Sequence, residues 1–465
     1  NYQKKKLESK RIIDSKIKME NIYDKLKKDV LNQGLCTHCG TCVGLSNNSL
    51  VMEETSGGPL PTINMVDEEL SDLVYNACPG KGFNYPHLVN KIFHNEVKDW
   101  RMGHYEKIYI GYATDKTIRR NGASGGILTT LLIYLLKEKK IDGAIVIKQG
   151  TPKPWLAKPI IATTEKEIID CAQSIYAPIP VNIILPEIKK FSGKLAFIGL
   201  PDQISSIRYL QTKKIKWLKK VQYLFGPYVG TNMYTGAIKS FIKSNGYNKM
   251  SKIKSLKYRD GEWPGSLKIR MDDGKVLKSE KFYYNYLIPF YITKSSLLSV
   301  DFSNELTDIS VGDAWHPKYE SLGQGYSVIV ARSKKAIDLL KKMEFKKSIN
   351  LDEIGLKEAI NMHAHMIDFK KRGSFIRFYF RKILGKSSPK FGYKPKKISL
   401  TRILIELIIS TIFLISGSRV VRYILPFIPI KIIGPLFNTL RIKWKNISKE
   451  AKRKGLNKYS VNYEE

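Results

Sequence analysis

The chain has 465 residues, with 79 Lys+Arg against 42 Asp+Glu, 43% hydrophobic residues and five Cys. Its length predicts two or three domains, and its apolar and aromatic content excludes wholesale disorder. Five thiols in so long a chain exclude a disulfide scaffold, and their odd number fits a reducing compartment.

Residues 1–30 read as a charged, exposed helix. Asn1 to Lys28 contain no apolar stretch of the kind a secretory signal needs, so a cytoplasmic location is expected. Residues 31–98 are rich in Gly, Asn and Pro and hold the strongest chemical signal: Cys36-Thr-His-Cys39-Gly-Thr-Cys42, followed by Cys78-Pro79-Gly80. Three thiolates, two residues apart each, let one turn wrap three corners of a cubane, and a distant Cys before Pro can close the fourth. Cys36, Cys39, Cys42 and Cys78 therefore read as the ligands of one 4Fe-4S cluster. A thiolate zinc site is the alternative, although zinc ribbons bring two separated Cys pairs rather than three plus one. His38 is expected in solvent and not as a ligand. Cys171 stands alone and reads as a small buried side chain. A single cluster moves one electron at a time, so a second redox centre is to be sought in the same chain.

From Lys107 the pattern becomes that of an α/β layer. Ile108–Tyr112 reads as a buried strand, Gly122–Gly126 as a turn, Ile127–Lys139 as an amphipathic helix and Ile141–Lys148 as another strand. Lys194–Gly199 is a further strand leading into a loop at Leu200-Pro201. Residues 253–280 read as a hairpin through Asp272-Asp273-Gly274. The turn Arg119-Arg120-Asn121-Gly122-Ala123-Ser124-Gly125-Gly126 precedes a helix, where unpaired N–H groups and two Arg suit a phosphate; a tight strand-to-helix turn is the plain alternative.

About half of the net charge of +37 lies beyond residue 370, around apolar runs at 403–415 and 423–437. The stretch 398–417 is nearly long enough to span a bilayer, but it carries Arg402 and Glu406 on one helical face, and Lys431 and three prolines interrupt the second run. Three placements are open: an interfacial helix with its cations towards anionic headgroups, packing on the protein's own core, or a span. Nucleic acid is not expected, because no binding module surrounds the cations.

Other polar candidates carry plainer readings as well. Asp313, Trp315 and His316 could sit beside a cofactor, with His316 moving protons; a packed turn with Asp313 capping backbone and Trp315 in the core is the alternative. Asp202 reads as a solvated loop carboxylate. The pairs Phe282-Tyr283 and Phe290-Tyr291 read as core in a strand-like stretch. His363 and His365, two apart on a helix, diverge and make a poor metal pair.

An ordered set of motifs resembles the coenzyme F420 hydrogenase/dehydrogenase beta subunit family of iron-sulfur flavoproteins. It comprises the cysteine run with Cys78-Pro79-Gly80, Gly122-Ala123-Ser124-Gly125-Gly126, Ile141-Asp142-Gly143-Ala144, Ser174-Ile175-Tyr176, Gly199-Leu200-Pro201, Tyr258-Arg259-x-Gly261-x-Trp263-Pro264-Gly265 and Asp308-Ile309-Ser310-Val311-Gly312-Asp313-Ala314-Trp315. The resemblance implies an α/β (α+β) flavoprotein core over 99–190 and 191–345. A ferredoxin-like 4Fe-4S segment at 31–98 would precede it, and a helical, basic C-terminal tail at 346–465 would follow. It also implies FAD, with the glycine turn facing the pyrophosphate: Ser124, Gly125 and Gly126, with Arg120 and Thr129 at the margin. The activity implied is oxidoreductase or electron transfer between the cluster, FAD and a soluble hydride carrier such as coenzyme F420, served by a ferredoxin or a hydrogenase/dehydrogenase subunit.

The family's second cysteine set is absent. Asp202, Val229, Ser296 and Ser299 stand where those thiolates belong, so the core is expected to hold no second cluster. A degenerate adaptor of the same fold is the alternative, and homologues of this kind occur in surface-polysaccharide gene clusters. Phe369-Lys370-Lys371-Arg372-Gly373, Gly385-Lys386 and Pro389 resemble that branch's tail, which would place the chain at the inner face of a membrane.

Overall fold

The computed structural model describes residues 22–65, 71–280 and 285–464, apart from the side chains of Glu280, Ile430 and Lys454. Residues 22–31 are helical, and Ile22, Leu26 and Val30, one turn apart, are buried against the cysteine segment. The expected exposed helix is thus a packed one over this stretch; its residues 1–21 lie outside the described residues. β1 (Leu50–Thr55) and β2 (Gly58–Ile63) pair as a hairpin next to it.

An eight-stranded sheet forms the centre. Its strands are β3 (Lys107–Ala113), β4 (Gly143–Gln149), β5 (Ala157–Ala162), β6 (Leu195–Ile198), β7 (Val221–Pro227), and, after the separate β8 (Ile253–Asp260), β9 (Ser266–Met271) and β10 (Val276–Glu280), also β11 (Ile309–Asp313), β12 (Ser327–Ala331) and β13 (Ile349–Glu353). The order across the sheet is β13-β3-β12-β11-β7-β6-β4-β5. β4, β6, β7 and β11 are parallel neighbours. β3 runs the same way, because it is antiparallel to β12 and β12 is antiparallel to β11. Five strands therefore end on one edge, where ligands of open α/β sheets gather.

The alternation of side chains explains the layers. Ala196 and Phe225 face one helical layer, with Leu131 and Leu135 of α1 (Ile127–Lys137). Leu195, Phe197 and Leu224 face the other, with Ile204, Ile207 and Leu210 of α2 (Pro201–Thr212). Where a loop is expected after Gly199, α2 begins at once. Proline is well suited to the first helical position, and the backbone N–H of Leu200 donates to Gln203 Oε1 at 2.8 Å.

β8, β9 and β10 form a three-stranded sheet that includes the expected Asp272–Gly274 hairpin turn. Phe290 and Tyr291 lie in a short helix, Ile288–Tyr291, rather than a strand-like stretch, with Pro289 in its first turn. Phe282 and Tyr283 lie outside the described residues.

Beyond β13 come α3 (Leu356–Asp368), α4 (Ser374–Ile383), α5 (Leu400–Ser416), α6 (Arg419–Ile424) and α7 (Ile430–Arg453). β14 (Tyr393–Pro395) pairs with β15 (Val461–Tyr463). Among the described residues no single helix is long and apolar enough to cross a membrane. Arg402 and Glu406 do not approach headgroups. Both are fully buried, Arg402 against Asp368 of α3 and Glu406 against Arg377 of α4. Arg422 likewise turns inward and donates to the Phe290 carbonyl at 2.6 Å.

Candidate functional site

Cys36, Cys39, Cys42 and Cys78 all line one small, partly enclosed cavity whose remaining wall is largely apolar, with Leu26, Val30, Met52, Pro61 and Pro79. Gly40 makes the approach between the first two turns: its φ is +82°, and a Cβ there would stand 2.7 Å from Ile183 Cγ2. The short helix Thr41–Gly44 then carries Cys42, and the turn Pro79–Lys81 fixes Cys78. The Asn182 side chain donates to Thr41 Oγ1 at 2.8 Å, and the Cys39 carbonyl accepts the Asn182 N–H, which pins the loop to the core. His38 is buried rather than in solvent. Its Nδ1 lies 2.8 Å from the Pro59 carbonyl, so it ties the cysteine loop to β2.

Burial, and after it the neighbouring sulfurs, push the thiols of Cys36 and Cys42 far up, and Cys78 to about 12. Four thiolates can share this space only around positive charge. Among the described residues no three His, Cys, Asp or Glu side chains stand close enough to hold one metal ion. A zinc ion with four sulfurs at about 2.3 Å would need such convergence. A cubane does not, since each thiolate ligates its own iron corner. The four-thiol donor set and its apolar shell fit an iron-sulfur cluster. Cys171 is half-buried and stands away from this cavity.

The glycine turn follows β3 on the shared edge. Ser124 donates to the Tyr326 carbonyl at 2.8 Å, and the Gly125 N–H donates to Ser327 Oγ at 2.9 Å. A Cβ on Gly125 would stand 2.7 Å from the Gly111 carbonyl oxygen, so the turn is pressed against β3. Gly126, at φ +78°, caps α1, and Thr129 lies half-buried in its first turn. The two arginines part company. Arg119 is stacked between Tyr112 and Tyr326, 3.8 and 4.5 Å from the ring centres, whereas Arg120 is exposed and paired with Glu262 at 3.1 Å.

Arg120 borders a cleft of about 500 Å³, together with Lys116, Thr117, Asn121, Gln173, Lys257, Asp260 and Gly261. The volume suits a cofactor-sized ligand, and three cations suit a phosphate-bearing one. Ser124, Gly125, Gly126 and Thr129 do not line this cleft, so the cations, rather than the glycines, are what it presents to a pyrophosphate. Lys116, Gln173 and Lys257 come from three separate segments, and single-sequence reasoning missed them. Gln173, a non-glycine residue at φ +109° beside Ser174-Ile175-Tyr176, is the signal that the structure adds.

Asp313 ends β11 on the same edge. Its two oxygens take Arg259 at 3.1 Å each, and Oδ1 also accepts Trp263 Nε1 at 2.7 Å. Trp315 is half-buried and lies against Trp263, with ring centres 4.7 Å apart. His316 is exposed and caps the helix Pro317–Glu320 through Nδ1. Asp202 is not a solvated loop residue: it sits in the first turn of α2 beside Thr37, and burial pushes its carboxyl up to about 6. Ser296 Oγ accepts the Asn232 N–H, and the buried Lys370 ammonium donates to the Ser296 carbonyl at 2.8 Å. The expected thiolate positions are therefore held by two hydroxyls, a carboxyl and a valine, with the Lys370 ammonium against one of them.

Residues 108–186 match the family described as coenzyme F420 hydrogenase/dehydrogenase, beta subunit, N-terminal part, and residues 192–357 match its C-terminal part. The chain belongs to this family. The protein named coenzyme F420-dependent sulfite reductase from Methanocaldococcus jannaschii is 24% identical over 81% of this chain, which spans 60% of that protein's length. The coenzyme F420 hydrogenase subunit beta of Methanosarcina barkeri is 26% identical over 51% of this chain and 78% of its own. A chain of the solved F420-reducing [NiFe] hydrogenase complex from Methanosarcina barkeri shares the fold, with a TM-score of 0.50 at 23% identity, covering 63% of this chain and 98% of that one. By name these relatives are oxidoreductases, and they support a redox-related role for this member of the family.

Proposed function

We propose that the protein is an iron-sulfur flavoprotein that passes electrons between one 4Fe-4S cluster, FAD and a soluble hydride carrier, coenzyme F420 or a similar compound. The convergence of Cys36, Cys39, Cys42 and Cys78 on one apolar cavity carries this reading. Cluster and flavin together would supply the exchange between single electrons and a hydride pair. The chain's own part is to bury the thiolates, to brace their loop through His38 and Asn182, and to offer Lys116, Arg120 and Lys257 to the phosphates of the flavin nucleotide. A redox protein, either a ferredoxin or a hydrogenase/dehydrogenase subunit, would complete the route.

The test is anaerobic reconstitution followed by iron, sulfide and flavin analysis. About four irons and one FAD per chain are expected, and the flavin should bleach on addition of reduced F420. Colourless protein without flavin defeats the reading. Bound flavin that no donor reduces favours instead the adaptor role, to which the filled positions Asp202, Val229, Ser296 and Ser299 lend weight.

A further inference from the structure

The C-terminal helices are built inside out. On α5 the stripe facing the protein carries Arg402 and Glu406, both without solvent exposure, and their partners Asp368 and Arg377 are buried too. The stripe facing away is aliphatic: Leu400 is 79% exposed, Leu404 59% and Leu414 76%. One helical repeat produces both stripes, 402-406-409 inward and 400-404-407-414 outward. A helix bordering water shows the reverse arrangement. Large apolar side chains are exposed past the bend as well, Val420 and Phe427 among them, and so is Ile447 on α7. Exposed cations stand on the same helices, namely Arg419, Lys431, Lys443, Lys445 and Lys449, whereas Glu450 is the one exposed acid described between residues 396 and 453.

We propose that this face docks on an anionic lipid surface, with α5 and α6 lying in the plane of the headgroups. The inference does not depend on the redox reading. Exposed cations with almost no exposed acids among them complement anionic headgroups. The apolar character of Leu400–Ser416 with Arg419–Phe427 is that of a membrane segment, yet the 57° bend between the two halves rules out a straight crossing as they stand. The buried ion pairs then hold α5 flat, because tipping it upright would pull Arg402 and Glu406 away from Asp368 and Arg377.

The test uses the full chain and vesicles of phosphatidylcholine with and without phosphatidylglycerol. Sedimentation with the anionic vesicles is expected, weakening as salt is raised and about tenfold weaker for the double change Lys443→Glu and Lys445→Glu. Leu414→Glu, on the outer face, is expected to abolish binding while leaving the thermal unfolding midpoint in place. Indifference to anionic vesicles, or undiminished binding by both altered chains, overturns the proposal. A stable dimer that Leu414→Glu splits also overturns it, by assigning the face to a second copy.

Discussion

Arg402 donates to both carboxylate oxygens of Asp368, at 2.9 to 3.2 Å, and neither side chain meets solvent. Arg372 shares that carboxylate, and Glu406 is shared by Arg402 and Arg377. The network joins α3, α4 and α5 through buried charges, of which Asp368, Arg402 and Glu406 have no access to water. Removing one member leaves the rest uncompensated, so Glu406→Gln or Asp368→Asn is expected to cost about 3–5 kcal/mol. The urea midpoint of each variant checks this; a shift within error of the parent would mean that the network is solvated.

The cysteines should divide cleanly by place. Cys78→Ala removes one corner of the enclosed set and is expected to take iron from about four per chain to below one after reconstitution. Cys171→Ala, half-buried and away from the cavity, is expected to leave iron content and the visible spectrum unchanged. Metal analysis of the two variants side by side decides it.

At the cleft, Arg120→Glu and Lys257→Glu reverse two of its three cations without touching the core. Each is expected to weaken FAD binding about tenfold or more, since a charge-assisted hydrogen bond contributes about 1.5–3 kcal/mol. Titration calorimetry with the apoprotein measures the effect. Thermal stability should hardly move, because Arg120 is exposed and its pair with Glu262 is a surface pair.

His363 gives the fold a pH dependence of defined sign. Its ring is buried between Tyr228 and Phe302, and burial, only partly offset by Asp313, lowers its pKa from 6.5 to about 4. Between these values the unfolded chain takes a proton that the folded chain refuses, so stability falls as pH drops from 6.5 towards 4. The group accounts for about 3 kcal/mol of that fall. His363→Phe should flatten the stability curve over this range, as chemical denaturation at stepped pH would show.

What the sequence made legible was local. The strand at Ile108–Tyr112, the turn before α1 and the cysteine spacing are written in neighbouring residues, and period or spacing suffices to read them. What it hid depends on distance along the chain. Nothing near Arg402 announces Asp368, thirty-four positions earlier, so a charged helical face looked like one turned towards headgroups. Lys116, just after β3, and Lys257, on β8 of the separate sheet, border one cleft only because the fold brings the two segments together. His38 looked exposed because its partner, the Pro59 carbonyl, belongs to a hairpin formed later in the chain. Asp202 looked like a loop residue because a proline after Gly199 reads as a break, although proline also begins helices well.

β13 lies just past the residue where the basic tail was expected to begin, yet it is a full member of the central sheet, pairing with β3 from Ile349↔Ala113 to Glu353↔Tyr109. A shortened version of the chain stopping at residue 345 would therefore bare one edge of β3 from Tyr109 to Ala113. Such an open edge recruits strands from other molecules. Anyone trimming the helical region to gain solubility would keep residues through 354, or would trade a greasy surface for a self-associating one.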